Sequence, residues 1–272
     1  MYLLTTHIGG LPHYDVAAAV DLSCLLDIPC LPELRLRRDN IFSPIEKSGQ
    51  VSCLDEFAKR VIDKNFEIVK IQIVGPVTAF LQGYDTNEYF LNLYKHFEIV
   101  ANAMNIKNKR TKVMAFADEP SLYLVDFDFN YKVLYEEWLA VVKSFGINTT
   151  GIHSCGDLTD KIELRRFDVL FESEFDFISI DASKYDITKY PAYRGEKNEK
   201  RIAWGVDYGK NKLDEELRFK NIEKIVEYLA EYARDGDLLT LRCGLDPKFY
   251  SVDDAKRKFE TLIEVKSRLA HL

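Results

Sequence analysis

The sequence alternates short apolar runs with longer amphipathic segments along almost its whole length. Seven runs rich in apolar and β-branched residues have the length of buried strands: residues 2–8, 68–74, 112–117, 149–152, 177–180, 201–206 and 238–242. Continuous apolar runs of this kind, bounded by turn residues, are typical of strands that are covered on both faces. This pattern strongly restricts the folds available to the chain.

Helical periodicity fills most of the intervals between these strands. It indicates amphipathic helices over residues 15–26, 86–105, 130–145, 214–236 and 251–272. Two of them have clear start signals, because Asp85 and Ser251 are residue types that cap helix N-termini.

Regular alternation of strands and helices predicts an α/β protein with a mainly parallel sheet, either open or closed into a barrel. We favour a (β/α)8 TIM barrel that forms a single domain over residues 1–272, since such barrels take about 250 residues. An eighth strand would have to lie in the proline-rich stretch 28–38, although its prolines make it a poor strand.

Composition narrows the setting and the partners. The chain of 272 residues carries a formal net charge of −7 with no extended basic stretch, which argues against a nucleic-acid partner. No apolar stretch approaches the roughly 20 residues needed to cross a bilayer, so no membrane association is expected. Five cysteines, an odd number, and no visible export signal predict a reducing, cytoplasmic location.

Residues that packing does not require follow the predicted strands. They are His7, Asp118, His153, Cys155, Asp181, Asp207 and Cys243. Because the carboxyl ends of parallel barrel strands open on one face, we expect these side chains to converge there.

Four of these residues have the chemistry of zinc ligands: His153, Cys155, Asp181 and Cys243. In an extended backbone, His-x-Cys directs both side chains to the same side, so that both can reach one ion. Taken alone, however, His-x-Cys is more often a buried cysteine beside a hydrogen-bonded histidine. Cys24, Cys30 and Cys53 lack partners at metal-site spacing and are expected to be packed thiols.

At these positions the sequence resembles the catalytic barrel of cobalamin-independent methionine synthase, within the group that includes coenzyme M methyltransferases and uroporphyrinogen decarboxylase. The resemblance extends from Thr5 to Leu245 and rests on the segments "TTHIGGLPH", "KIQIVGPVT", "FADEPSL", "GIHSCGD", "ISIDAS" and "RCGL". It implies a (β/α)8 barrel and a zinc ion that activates a thiol acceptor.

The resemblance also implies roles for particular residues. His153, Cys155 and Cys243 match the zinc ligands of the family, and Asp181 matches a glutamate ligand. The remaining matches concern substrate binding: Asp118 for the amine of homocysteine, with Glu119 beside it, and Ile8, Gly9 and Gly10 for its carboxylate.

Three departures from the family pattern change the expected site. Asp181 is one methylene shorter than the glutamate, and Gly10 replaces a serine, which removes a hydroxyl from the substrate pocket. The segment "WGVDYGKN" lacks the histidine that assists proton transfer, so that Asp207, Tyr208 or Lys210 would have to replace it.

These features predict a zinc-dependent methyltransferase that methylates a thiol, with homocysteine favoured because Asp118 would pair with an ammonium group. Loss of the proton-transfer histidine and of a second barrel favours a methylcorrinoid donor, methylcobalamin or a separate corrinoid protein, over 5-methyltetrahydrofolate, whose nitrogen must be protonated to leave. The alternatives are another thiol such as coenzyme M, a uroporphyrinogen-decarboxylase-like enzyme and a non-catalytic binding barrel.

Overall fold

A computed structural model describes residues 1–105, 111–124, 130–155, 170–189, 193, 200–209 and 217–272. The first residues of the predicted 214–236 helix, 214–216, lie outside this set, and so does Lys210.

The centre of the fold is a curled, seven-stranded parallel sheet. Its strands and those of a small pair are β1 (Leu4–Thr5), β2 (Gly10–Leu11), β3 (Glu33–Leu34), β4 (Ile68–Val74), β5 (Lys112–Asp118), β6 (Thr149–Ser154), β7 (Phe177–Asp181), β8 (Arg201–Val206) and β9 (Leu238–Leu241). The sheet order is β1-β9-β8-β7-β6-β5-β4, and β2 pairs separately with β3. All seven predicted strands are therefore present, and the α/β class with a parallel sheet is confirmed.

The two edge strands of the sheet are linked by the proline-rich segment 28–31. The amide of Ile28 donates to the carbonyl of Thr5 in β1 at 3.0 Å, and the amide of Lys70 in β4 donates to the carbonyl of Pro29 at 2.8 Å. The segment forms only an isolated bridge, between Cys30 and Lys70. Among the described residues the sheet has seven strands rather than the eight predicted, because the prolines interrupt regular pairing.

Amphipathic helices cover the outside of the sheet. They are α1 (Val16–Ser23), α2 (Ser43–Glu46), α3 (Leu54–Asp63), α4 (Pro76–Leu81), α5 (Thr86–Ala103), α6 (Tyr131–Ser144), α7 (Ile222–Tyr232) and α8 (Val252–Ala270). The predicted caps are confirmed, since the side chain of Asp85 accepts from Glu88 N and Ser251 forms a capping box with Asp254.

The sequence analysis misplaced one helix start and missed three helices. Helix α7 begins after Asn221, whose side chain accepts from Lys224 N, and residues 217–220 are not helical. Helices α2, α3 and α4 were not predicted. Helices α2 and α4 are short, whereas α3 was overlooked although its buried residues recur at helical spacing: Leu54, Phe57, Ala58 and Val61.

Two hydrophobic cores lie on opposite faces of the sheet. The larger core packs the helices against the strands. The smaller core lies inside the curl and consists of Ile28, Met114, Phe116, Phe177, Ala203 and Leu238. A side chain on Gly151 would lie 2.4 Å from the Phe116 ring, so glycine at this position makes room for the ring. This filled interior is typical of small parallel barrels.

No helix among the described residues is long and apolar enough to cross a membrane. Cys24, Cys30 and Cys53 are buried and unbridged, as expected for packed thiols.

Candidate metal centre at the carboxyl edge of the sheet

Three of the predicted metal ligands come together at the carboxyl edge of the sheet. His153 lies near the end of β6, Cys155 follows β6, and Cys243 follows β9 by two residues. One ligand atom from each residue lies within 4.8 Å of the others. Because β7 and β8 separate β6 from β9 in the sheet, only its curvature can bring these side chains together.

The imidazole of His153 is fully buried and held from one side. Its Nδ1 lies 2.9 Å from Oγ of Ser179, the residue opposite it on β7. Its Nε2 is buried and has no hydrogen-bond partner within the described parts of the chain. A buried nitrogen without a partner is costly, and a metal ion would satisfy it. The bond to Ser179 fixes the ring as expected for a metal ligand.

The sulfur atoms of Cys155 and Cys243 lie close enough for each thiol to affect the titration of the other. Interaction with Cys155 lowers the pKa of Cys243 well below its usual range, and His153 adds to the effect. The same interaction raises the pKa of Cys155, and burial raises it further. The pair therefore favours one thiolate beside one thiol in the metal-free protein, and a dication would favour loss of the remaining proton.

Asp118 lies directly beside His153, because the two residues are opposite each other in the β5–β6 pairing. Burial raises the pKa of its carboxyl group, whereas interactions with His153 and Gln72 oppose that shift. Its Oδ1 is buried without a hydrogen-bond partner in the described part of the chain. The carboxylate is thus available to a ligand next to the cluster.

Asp181 is near the cluster, but its carboxylate has other contacts. Its Oδ1 accepts from the amides of Ser183 at 3.0 Å and Lys184 at 3.2 Å, and its Oδ2 lies 3.6 Å from Arg242 Nη1. The trio of mutually close ligand atoms does not include it. Burial raises its pKa to about 6. Its coordination of a metal stays a prediction.

Glu119 caps a helix. Its two carboxylate oxygens accept from Val77 N at 3.0 Å and Thr78 N at 2.6 Å, in the first turn of α4. A side chain on Gly75 would lie 2.2 Å from Oε1 of Glu119, so glycine at this turn makes the cap possible. A carboxylate at a helix N-terminus is stabilised by the helix dipole. Its predicted role in substrate binding stays untested.

Asp207 follows β8 and is held in place by Lys258. Its Oδ2 forms an ion pair with Nζ of Lys258 on α8, and its Oδ1 accepts from Tyr208 N at 2.9 Å. Both residues of the ion pair line a cavity of about 310 Å³, together with Cys155 and Cys243. The predicted proton-transfer residue therefore shares a cavity with the metal ligands.

The segment Ile8, Gly9 and Gly10 lies against three charged residues that the sequence analysis did not select: Glu33, Arg35 and Lys70. Glu33 N donates to the carbonyl of Gly9 at 2.9 Å in the β2–β3 pair. Glu33 is buried, and burial raises its pKa to about 8. The signal was present, since "PELR" places an acidic residue within an apolar, proline-rich stretch.

Lys70 was marked by a similar signal, a basic residue within the apolar run "IVKIQIV". Its side chain is fully buried inside the curl, where Nζ donates to the carbonyl of His7 at 2.8 Å and lies 4.5 Å from the centre of the Phe116 ring. Burial lowers its pKa. This contact anchors the first residues of the "HIGG" segment to β4.

These residues define an α/β protein with a curled parallel sheet and a thiol–imidazole cluster at its carboxyl edge. No protein-family model matches the sequence, and no curated protein matches it. Solved structures do resemble the fold.

One of them is a protein from Listeria monocytogenes named as a candidate vitamin-B12-independent methionine synthase. The match covers 81% of this chain and 70% of that one at 16% identity, with a TM-score of 0.51. The homocysteine methyltransferase MmuM from Escherichia coli matches over 83% of this chain and 91% of that one, at 11% identity and a TM-score of 0.40. A GH18 chitinase from Pseudoalteromonas aurantia has the same TM-score and identity, over 94% and 98%. At such identities the likeness concerns the fold alone.

Proposed function

We propose that this protein is a zinc-dependent methyltransferase that moves a methyl group to a thiol, with homocysteine as the favoured acceptor and methionine as its product. The observation that carries the proposal is the cluster of His153, Cys155 and Cys243, whose ligand atoms lie within 4.8 Å of one another. Sequence resemblance at these residues and the likeness in fold support it.

The residues of the cluster fit zinc. Two sulfur donors and one imidazole nitrogen are typical zinc ligands, and three protein ligands leave a position for a substrate. The buried Nε2 of His153 has no other described partner, and the cavity gives access to both cysteines. Asp181 is proposed as a fourth ligand, which would require it to leave Arg242. When bound, zinc supplies a Lewis acid that lowers the pKa of an incoming thiol.

The chain's own residues would orient the acceptor. Asp118, with a buried oxygen that lacks a described partner, is suited to the ammonium group of an amino acid. The segment Ile8, Gly9 and Gly10 is proposed to border the acid group. In this arrangement the sulfur would point toward Cys155 and Cys243.

The methyl donor is proposed to be a methylcorrinoid, methylcobalamin or a corrinoid protein, with 5-methyltetrahydrofolate as the alternative. A folate nitrogen must gain a proton to leave, whereas a corrinoid cobalt leaves without one. Asp207 lines the cavity beside Lys258 and is proposed to pass that proton to a folate. Asp207 is therefore expected to be needed for methyl transfer from 5-methyltetrahydrofolate but not from a methylcorrinoid.

We also propose that the curled sheet closes into a (β/α)8 barrel, with residues 28–31 as its eighth, irregular strand. Hydrogen bonds from this segment to both β1 and β4 support closure. A barrel would place the carboxyl ends of all strands around one site.

Two rival functions have less support. A uroporphyrinogen-decarboxylase-like enzyme needs no zinc, so the paired cysteines beside His153 would have no role in it. A non-catalytic binding barrel would hold the metal without turnover. Coenzyme M as acceptor shares the thiol chemistry but lacks the ammonium group that Asp118 is suited to bind.

The test combines metal analysis with a grid of donors and acceptors. Zinc-loaded protein is incubated with methylcobalamin or 5-methyltetrahydrofolate and with homocysteine or coenzyme M, and the methylated thiol is quantified. We expect about one zinc per chain and methionine as the product. The Cys243→Ser variant should lose both the zinc and the activity, whereas Cys24→Ala should retain both. Stoichiometric zinc without thiol methylation by any pair would contradict the proposal.

A further inference from the structure

The guanidinium of Arg35 lies against Gly10, in the space that a side chain at position 10 would need. A β-carbon on Gly10 would lie 2.8 Å from Nε of Arg35 and 3.3 Å from its Cζ. Carbon atoms do not approach a guanidinium this closely, so any residue other than glycine would displace Arg35. Gly244, next to Cys243, borders the same group, since a β-carbon there would lie 3.4 Å from Nη2 of Arg35.

The protein pairs only some of the hydrogen-bond donors of the Arg35 guanidinium. Its Nη1 forms an ion pair with Asp246 at 3.2 Å. Its Nε is buried and has no hydrogen-bond partner among the residues that the structure describes. Arg35 also lines the cavity that contains Cys155 and Cys243. A buried donor beside a cavity is a natural place for an acceptor group from a ligand.

The acidic side chain of Glu33 lies close by, but the ion-pair partner of Arg35 is Asp246. Glu33 packs against Gly9, where a β-carbon would lie 2.6 Å from its Oε1. Neither of its oxygens has a hydrogen-bond partner in the described ranges, although both are buried. Glu33 and Arg35 are two residues apart and influence each other electrostatically, yet each keeps an unused polar atom. Arg35 therefore keeps a donor that the acid group of a ligand can bind.

We propose that Arg35 binds the acid group of the thiol acceptor and thereby determines acceptor specificity, and that residue 10 is glycine to make room for this guanidinium. The inference rests on the proposed function, because it concerns the acceptor of that reaction. In this proposal the guanidinium of Arg35 contacts the acid group of the acceptor. It occupies the space that a serine side chain at position 10 would otherwise fill.

A guanidinium binds a carboxylate or a sulfonate through charge-assisted hydrogen bonds, so the shared chemistry of the ligand is a small acid group. The carboxylate of an amino-acid thiol and the sulfonate of a coenzyme-M-like thiol are two possible sources. The experiment distinguishes them with one ligand of each kind.

The test measures binding without turnover, by calorimetric titration of zinc-loaded protein in the absence of a methyl donor. The ligands are methionine, methioninamide, which lacks the acid group, and 2-(methylthio)ethanesulfonate. Arg35→Gln is compared with the wild type, and Arg37→Gln, an exposed arginine in the same turn, is the matched control. We expect Arg35→Gln to weaken the binding of the acid ligand by about tenfold to a hundredfold and to leave methioninamide unchanged.

Three results would overturn the proposal. The first is an equal loss for methionine and methioninamide, which would indicate a merely structural role. The second is that neither acid ligand binds the wild type, and the third is that Arg35→Gln binds both as tightly as the wild type. Tighter binding of the sulfonate than of methionine would keep the role of Arg35 and assign a sulfonate acceptor.

A second set of variants tests the link between positions 10 and 35. Gly10→Ser alone should weaken methionine binding, because its β-carbon would displace Arg35. Gly10→Ser combined with Arg35→Ala should bind methionine more tightly than Arg35→Ala alone, since the hydroxyl then has room to replace part of the contact. Circular dichroism and thermal melting confirm that each variant is folded. If Gly10→Ser binds as the wild type does, the proposed link is wrong.

These outcomes are separable from the methyltransferase assay. Loss of Arg35-dependent binding with intact methyl transfer would reject only the role of Arg35. Arg35-dependent binding of an acid ligand without any methyl transfer would instead leave this site in place and reject the proposed reaction.

Discussion

Oγ of Ser179 lies 2.9 Å from Nδ1 of His153, across the β6–β7 pairing. The hydroxyl fixes the orientation of the ring and thereby directs Nε2 toward Cys155 and Cys243. Hydrogen bonds of this kind to metal-binding histidines are often worth one to two orders of magnitude in metal affinity.

Replacement of Ser179 by alanine is therefore expected to lower zinc affinity by about 10- to 100-fold while the protein stays folded. Competition with a chromophoric chelator measures the affinity. Ser173→Ala is the control, because it removes a buried hydroxyl that donates to the Leu170 carbonyl. Equal affinities of Ser179→Ala and the wild type would show that the ring needs no such support.

Glu33 provides a pH-dependent prediction. Its pKa is raised by burial from an ordinary value of 4.5 to about 8 in the folded protein. Its contribution to stability is therefore complete below about pH 4.5 and is lost as the pH rises through about 8. Glu33→Gln removes this loss, so the variant should be the more stable protein at pH 8.5, by an amount on the order of a few kcal/mol.

Urea unfolding of metal-free protein at pH 5.5, 7 and 8.5 measures this difference. Other buried carboxyl groups titrate in the same range, so the informative quantity is the gap between the wild type and Glu33→Gln at each pH. Glu67→Gln, which changes an exposed carboxylate, should run parallel to the wild type. A gap that does not widen with pH would mean that Glu33 is solvated or paired.

Asp237 holds the start of β8 and should matter for stability alone. Its carboxylate accepts from Ile202 N at 2.9 Å, Trp204 Nε1 at 2.8 Å and Arg234 N at 3.0 Å. Asp237→Ala would leave buried donors without partners, and we expect a loss of about 2–4 kcal/mol in unfolding free energy. Chemical denaturation checks this, with Asp63→Ala, at an exposed helix end, as the control. Loss of zinc from a folded Asp237→Ala protein would be unexpected.

The fold was largely predictable because strands covered on both faces leave a strong apolar signal, and all seven such runs form strands. The eighth position was harder to predict, since residues 28–31 include a proline and join β1 through one backbone hydrogen bond and β4 through two. Helix α3 was predictable in principle, because its buried residues Leu54, Phe57, Ala58 and Val61 have the spacing of an amphipathic helix.

The site was predictable where metal-binding residue types stand at the ends of predicted strands, as His153, Cys155 and Cys243 do. Glu33, Arg35 and Lys70 were missed, although Glu33 and Lys70 interrupt apolar stretches of the sequence. Those interruptions indicate a buried charged residue, but not which site it borders. Asp181 and Glu119 fall between these cases. Their positions are near the site, but their carboxylates have other partners. Two amides donate to Oδ1 of Asp181 and Arg242 faces its Oδ2, whereas both oxygens of Glu119 accept from amides of α4.

Asp207 should distinguish the two candidate methyl donors. It forms an ion pair with Lys258 and shares a cavity with Cys155 and Cys243. Transfer from 5-methyltetrahydrofolate requires protonation of the leaving nitrogen, whereas transfer from methylcobalamin does not. Asp207→Asn is thus expected to lower kcat with the folate by about 100-fold or more and to leave kcat with methylcobalamin within a factor of about two.

Steady-state rates of Asp207→Asn with each donor, at saturating homocysteine, measure this contrast. Lys258→Arg, which keeps the positive charge beside Asp207, serves as the matched variant and should retain most of the folate-dependent rate. A similar loss with both donors would assign Asp207 to the shape of the cavity rather than to proton transfer. Unchanged rates with both donors would exclude Asp207 from the reaction. Its carboxylate would then not replace the proton-transfer histidine that this sequence lacks.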